Sequence, residues 1–466
     1  MNKLLRKPLQ SAPTEMMGKF EKFNLIENPF PSSPYVNQDS TDQRINGKVY
    51  EIEIRKKELE QIENVFLKKS QLNPNHLRLG YIIDESYIGR GNGKSAFLVN
   101  LQQYINEDYC LDISNNINKC FAVYVVPEAG GRTKTFLSLV DLIFEAILKS
   151  NVIESCLAIL RIQSINQLYP NRQLFENMNE EEMISKLSEI EWYKQNQIDY
   201  NDIANAILLN PFLQGLPADF PLYRERNRLF LNMTMQKDFE GYYTQMPGRG
   251  RERLDFVFSH LVQFFQSAEF NGAFILLDDF ERIPEFQSAR QKRDFALELR
   301  SCIFDGLYTS AKTGFYNLLM VLHAGVPRLI SDAWAEAGME NRASFTPRTT
   351  SNHLIPFGKL SREHTTLLVK KYLSEYRIDT SNLQGTEPFS EDALSRIGEW
   401  SEYNAAKILK MAYDLLEKAA LAEGVTTIDE AFVSEAKGVL VGDLERSIPK
   451  IENVDSTDLL KKASEG

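Results

Sequence analysis

The chain has 466 residues, of which 43% are hydrophobic and 25% charged; this is enough for roughly two to four domains with a sizeable core and excludes a disordered adaptor. The 53 Lys+Arg against 64 Asp+Glu give a formal net charge of −11, which excludes a wholly basic nucleic-acid coat and disfavours anionic membranes, but not a local basic strip. The four cysteines form no CxxC pair and the five histidines are scattered, so no zinc-ligand spacing exists and the thiols read as reduced, in a cytoplasmic protein with neither signal peptide nor membrane span.

Residues 1–45 are rich in Ser, Pro, Asn and Gln and read as an extended arm, with Phe23, Leu25 and Phe30 as anchors. From residue 49 to 67 the spacing of Ile54, Leu59, Ile62 and Phe66 is helical. A strand is expected over residues 77–83, then a turn-rich stretch, then an apolar helix from Lys94 to about Ile105. A second strand covers residues 120–126 and an amphipathic helix residues 136–148. Residues 150–250 are mostly helical in pattern and aromatic-rich, an insertion whose rings read as core. Strand character returns at residues 273–277 and 317–322. From about Phe357 to Val441 every pattern is helical, and the last residues, 446–466, form a polar tail. Strands alternating with helices predict an α/β fold: a parallel sheet flanked by helices over residues 46–355, interrupted by the helical insertion and followed by an all-α domain over residues 356–445.

The strongest motif is Gly89-Arg90-Gly91-Asn92-Gly93-Lys94-Ser95, between a strand and a helix. Glycines let the backbone curl so that its N–H groups face phosphate oxygens, and the helix N-terminus adds partial positive charge. Lys94 reaches the β- and γ-phosphates of a nucleotide, and the Ser95 hydroxyl is placed for Mg²⁺. The pattern GxxxxGK[ST] asks for glycine at position 88, where this chain has isoleucine; Gly89 and Gly91 supply the flexibility instead. Further on, four apolar residues run into Asp278-Asp279-Phe280-Glu281. Such a strand is buried and presents acid at its C-terminal edge, where ligands sit in open α/β sheets. Asp278 is the candidate for the Mg²⁺ shell, and Asp279 or Glu281 for activating water.

These motifs resemble those of the P-loop ATPases of the AAA+ class, most closely the branch containing replication initiators and transposition regulators, with the STAND signalling NTPases as relatives. The resemblance implies a P-loop NTPase fold with a helical lid, binding of ATP and Mg²⁺ through Gly89, Gly91, Asn92, Gly93, Lys94, Ser95 and Ala96, and hydrolysis served by Lys94, Asp278, Asp279 and Glu281. It places Arg55 on a helix start lining the adenine pocket and offers Asn317 or His323 as the polar sensor on the strand over residues 317–322. Leu354 to Phe357 reads as the lead-in to the lid. Where relatives carry a lid arginine touching the γ-phosphate, this chain has Ala406, with Lys407 beside it: either Lys407 substitutes or the contact is missing. Such ATPases form rings or filaments completed by a neighbour's arginine; Arg328, Arg342 and Arg348 are the candidates.

The resemblance therefore implies an oligomeric ATPase acting on a nucleoprotein or DNA-associated partner, in transposition, replication control or antiviral defence. The alternative is a nucleotide-gated scaffold with little turnover that recruits an effector protein. The positive strips Arg249, Arg251, Arg253 and Arg290, Lys292, Arg293 are the candidates for tracking DNA phosphates, the other reading being a solvated face. His260 and His364 have no Ser or Cys partner in a recognisable motif, so no hydrolytic triad is expected.

Overall fold

The apolar runs become one sheet. In the computed structural model β1 (Leu79–Asp84), β2 (Cys120–Val125), β3 (Gly272–Leu277), β4 (Tyr316–Leu322) and β5 (Leu354–Phe357) lie in the order β2-β3-β4-β1-β5, all parallel. The structure describes residues 18–67, 78–84, 90–111, 119–172, 174–175, 177–224, 235–247, 251–323, 325–345, 353–379 and 385–436. Gly89, Arg249, Arg348, most of the first part of the arm and the 446–466 tail lie outside the described residues.

All six residues of β3 and all seven of β4 are buried, as central strands covered on both faces require. Pairings such as Ile275↔Leu318 and Ile83↔Leu322 set the register. Residues 354–357, expected to lead into the lid, instead form the fifth strand. Pro356 has no N–H to give a ladder, so this strand sits at an edge. Its preceding residue clasps β1: Tyr81 N donates to His353 O at 2.7 Å, and His353 Nδ1 lies 2.8 Å from Leu79 O.

The strand order also fixes a topological switch point. From β1 the chain crosses toward β2 on one side of the sheet, whereas from β4 it crosses toward β5 on the other. Right-handed crossovers in opposite directions put the connecting segments on opposite faces. The C-terminal ends of the neighbours β1 and β4 are therefore the switch point at which open α/β sheets take ligands.

The chain divides into two compact units, one of residues 1–59, 84–100 and 357–466, the other of residues 60–83 and 101–356. In the second unit α3 (Phe136–Lys149), opened by a Thr135/Ser138 capping box, lays Phe136, Leu139, Val140, Ile143, Phe144 and Ile147 into the core. α4 (Val152–Leu168) begins the insertion, whose regular elements among the described residues are all helical. Its aromatics are core, as expected: Trp192, Tyr193, Phe220, Tyr242 and Tyr243 are buried in the same cluster as the sheet, whereas Phe212 is exposed. The insertion is thus part of the second unit's own interior.

In the first unit the described part of the arm contributes Phe20, Phe23, Leu25 and Phe30 to one core with Leu373, Leu394, Ile408 and Leu415. The Phe30 ring stacks at 6.1 Å on Tyr372 and meets Phe389 edge-on at 5.9 Å. The sequence reading made the arm, the phosphate loop and the lid three separate regions; here all three share one unit, because the arm's aromatic side chains find their apolar cover on the lid helices. Those helices, Arg362–Glu375, Glu391–Trp400, Ala405–Leu421 and Glu430–Glu435, match the helical run expected there.

Candidate functional site

Between β1 and α2 (Lys94–Gln103) the described loop residues are held from two sides. Gly91 and Gly93 adopt φ of +95° and +85°, a backbone region glycine enters without steric cost. At Gly91 packing adds a second reason, since a Cβ there would stand 2.8 Å from Ala406 Cβ and 2.9 Å from Asn404 Oδ1. Asn92 is buried, its Nδ2 donating to Gly358 O at 2.9 Å. Below it lies Arg55, 5% exposed. One Arg55 nitrogen donates to Asn92 O (3.2 Å), Asn92 Oδ1 (3.3 Å) and Gly358 O (2.9 Å), and another pairs with Glu58 at 2.9 Å. The guanidinium lies 4.2 Å from the Phe357 ring centroid. The resemblance puts Arg55 at an adenine pocket; in the structure its contacts tie the loop at Asn92 to Gly358, Glu58 and Phe357.

Lys94 is the first residue of α2, with Ser95 and Ala96 half-buried beside it. Its ammonium stands 2.7 Å from both Asp84 oxygens, and the two side chains are 5% and 2% exposed. A buried, bidentate, charge-assisted pair of this kind is strong. Asp84 was passed over in the sequence as one residue of a turn-rich stretch. Its signal was the one used for Asp278: an acid ending an apolar strand.

The helix Ala405–Leu421 grips the loop from the other side. Asn404 Nδ2 donates to Arg90 O at 3.0 Å while its Oδ1 caps the helix through Lys407 N, and Ala406 N donates to Gly91 O at 2.9 Å. Two carbonyls of the loop, of Arg90 and Gly91, are thus bound by the first turn of this helix. The Ser401–Asn404 turn that aims Asn404 has Glu402 and Tyr403 both at positive φ (+54° and +59°), strain that persists only where the surroundings fix it. Lys407 Nζ lies 3.1 Å from Glu402.

In the second unit the chain turns sharply after β3. Asp278, 3% exposed, accepts from the Tyr124 hydroxyl at 2.7 Å and from Asp279 N at 2.9 Å. Asp279 takes φ of +45°, a left-handed conformation that aspartate tolerates better than most side chains. Its carboxylate pairs with Arg282, which also donates to Pro127 O at 3.1 Å. Glu281, 3% exposed, meets His323 Nε2 at 3.1 Å, and Asp279 Oδ1 is 3.9 Å from the same nitrogen. His323 directly follows β4. A buried carboxylate beside an imidazole can accept a proton from water. The ligand atoms of Asp279, Glu281 and His323 all lie within 4.8 Å of one another, a set that can also hold a divalent cation.

The other sensor candidate is elsewhere. Asn317 is fully buried at the start of β4, with Nδ2 donating to Phe315 O at 3.0 Å, at the end of the strand opposite to His323. Of the two sensor candidates, Asn317 thus lies at the N-terminal end of β4 and His323 just past its C-terminal end. Arg328 and Arg342 are exposed. Of the positive strips, Arg253 is turned inward, 2.9 Å from Asp141 and 4.9 Å from the Tyr243 ring, which removes it from a phosphate track. Arg290 and Arg293 each lie near Asp294, at 3.6 and 3.7 Å, and burial pushes the Lys292 ammonium below its usual pKa. Arg251 is hydrogen-bonded to Tyr308, which raises its pKa. Sequence reasoning also missed Tyr124, whose hydroxyl is the tip of an otherwise apolar strand, and Asn404 as the loop's clamp, a contact no local pattern encodes.

The chain matches no protein-family model, no curated protein and no solved structure.

Proposed function

We propose that the chain is an ATP-binding and ATP-hydrolysing ATPase of AAA+ type that assembles into a ring or filament and remodels or licenses a DNA-associated partner. The observation that carries this reading is the loop between β1 and α2: two glycines at positive φ, then a buried lysine and a serine in the first turn of the helix, following a strand at the sheet's switch point. In this reading Lys94 takes the β- and γ-phosphates and Ser95 holds Mg²⁺, which supplies charge neutralisation when bound. Asp278 suits the outer Mg²⁺ shell: each of its oxygens already accepts one hydrogen bond and keeps capacity for a metal-bound water. Of the two carboxylates the sequence left open, Glu281 is the proposed base, because His323 backs it whereas Arg282 engages Asp279.

The cysteines are free and, among the described residues, no helix is long and apolar enough to cross a membrane; a cytoplasmic location is part of the proposal. Phosphate release from Mg·ATP, with and without duplex DNA, in wild type and Lys94→Ala tests it. Turnover that requires Lys94 and rises with DNA supports it, and absence of ATP binding refutes it. A second reading, the nucleotide-gated scaffold, is favoured by Ala406. At the position where an arginine would sense the γ-phosphate, the chain has a methyl packed on Gly91 and the neighbouring Lys407 paired with Glu402. ATP-dependent growth in particle mass without turnover would select it.

A further inference from the structure

We infer that Asp84 is an internal anion that occupies Lys94 in the resting site and must be displaced by the incoming phosphate, so that it sets how much negative charge a ligand needs to bind. This rests on the proposed reading of the loop as a nucleotide site. The Lys94 ammonium has three donors, and the two oxygens of Asp84 each lie 2.7 Å from it. Both side chains are buried, at 5% and 2% exposure, so the attraction is little screened by solvent. A phosphate oxygen needs the same ammonium that the carboxylate holds. Its binding free energy is therefore reduced by the work of parting Lys94 from Asp84, and only the surplus appears as affinity.

The described residues of the loop, 90–93, are held in place. Arg55 and Asn92 fix it from below, and Asn404 and Ala406 hold its carbonyls, so the ion pair is the element that ligand must rearrange. A triphosphate brings more negative charge to this exchange than a diphosphate. Asp84 thus biases the site toward nucleoside triphosphates, and neutralising it relaxes that bias as it tightens binding.

The test is calorimetric titration of wild type, Asp84→Asn, Asp84→Ser and Lys94→Ala/Asp84→Asn with Mg·ATP and Mg·ADP. Folding of each is checked by circular dichroism. Both single variants are expected to bind ATP about 10- to 100-fold more tightly than wild type, the range released when a charge-assisted hydrogen bond no longer competes. The ATP-to-ADP preference should narrow, and the double variant should lose the gain. Unchanged or weaker ATP binding by a folded Asp84 variant overturns the inference. Should neither single variant fold, a structure of the wild type with a non-hydrolysable ATP analogue decides: Lys94 Nζ on phosphate and beyond 4 Å (about the ion-pair limit) from Asp84 supports it, and an intact pair overturns it. If wild type binds no nucleotide, the reading of the site fails and this inference with it. If wild type binds ATP through Lys94 and the Asp84 variants gain nothing, only the inference fails.

Discussion

Replacing Lys94 by alanine is the direct test of the phosphate binding proposed for this loop, and by its contacts it also destabilises the unit that carries the loop. The substitution removes the ammonium from a carboxylate that is 2% exposed and held at 2.7 Å through both oxygens. Breaking a buried ion pair from one side costs about 3–5 kcal/mol, because the remaining charge keeps its desolvation penalty without its partner. At roughly 2–4 °C per kcal/mol for a unit of this size class, that is a fall of about 6–20 °C in its unfolding midpoint. Removing both charges in Lys94→Ala/Asp84→Ala abolishes the penalty along with the attraction, so the double variant should be more stable than Lys94→Ala alone and the two effects strongly non-additive. Differential scanning calorimetry of the four proteins of the cycle reads this directly, with the two compact units free to appear as separate transitions. Additive effects, or a Lys94→Ala protein as stable as wild type, would refute the account of the pair. The practical consequence is that loss of ATPase activity in Lys94→Ala implicates phosphate contact only when the double variant, restored in stability, is inactive too.

Three further outcomes are expected. Gly91→Ala should cost more than Gly93→Ala in chemical denaturation: both positions carry positive φ, a strain of about 1–2 kcal/mol for alanine, but at Gly91 the new Cβ meets Ala406 at 2.8 Å whereas at Gly93 the nearest neighbour is 4.0 Å away. Equal costs would sink the packing argument. Arg55→Lys keeps the charge but loses the fork that reaches Asn92, Gly358 and Glu58 together, and should destabilise by about 2–3 kcal/mol; a variant indistinguishable from wild type by urea titration would show that the loop does not depend on it. Burial lowers the His260 pKa against the opposing pull of Asp255 and Asp219. The folded state therefore binds the proton less readily than the unfolded one, so stability present above about pH 6.5, the ordinary histidine value, is lost as pH falls below it, with a slope from this group of at most about 1.4 kcal/mol per pH unit. His260→Phe, placed beside Phe220, should flatten that loss, and an unchanged pH profile of stability would count against it.

The central strands were legible because complete burial leaves a sequence trace. Residues 273–277 and 318–322 are unbroken apolar runs, and they lie in β3 and β4 with every residue covered. The fifth strand was missed for the converse reason. It is four residues long, contains Pro356 and alternates in burial, and its place at the edge is fixed by hydrogen bonding around His353 and β1 that no local pattern announces. Sharing of one core by the arm and the lid helices was equally hidden, since anchors such as Phe23 and Phe30 declare that they need cover but not which surface gives it.

Within the site the legible part was the part whose chemistry is local. Glycines, a lysine and a serine at fixed spacing define a loop before a helix, and acids after an apolar strand define a sheet edge. What was not legible is the set of groups that act on those residues from a distance along the chain. Tyr124 bonds Asp278, His323 rather than Asn317 joins Glu281, and Asn404 holds Arg90. Ala406 illustrates the difference. As a letter aligned to a lid motif it is a missing arginine; in the fold its N–H binds Gly91 O and its methyl closes on Gly91. A larger side chain entering that contact would have to displace the loop, so this position is committed to gripping the loop backbone. On the proposed reading, this helix bears on a phosphate at Lys94 through its bonds to Arg90 and Gly91.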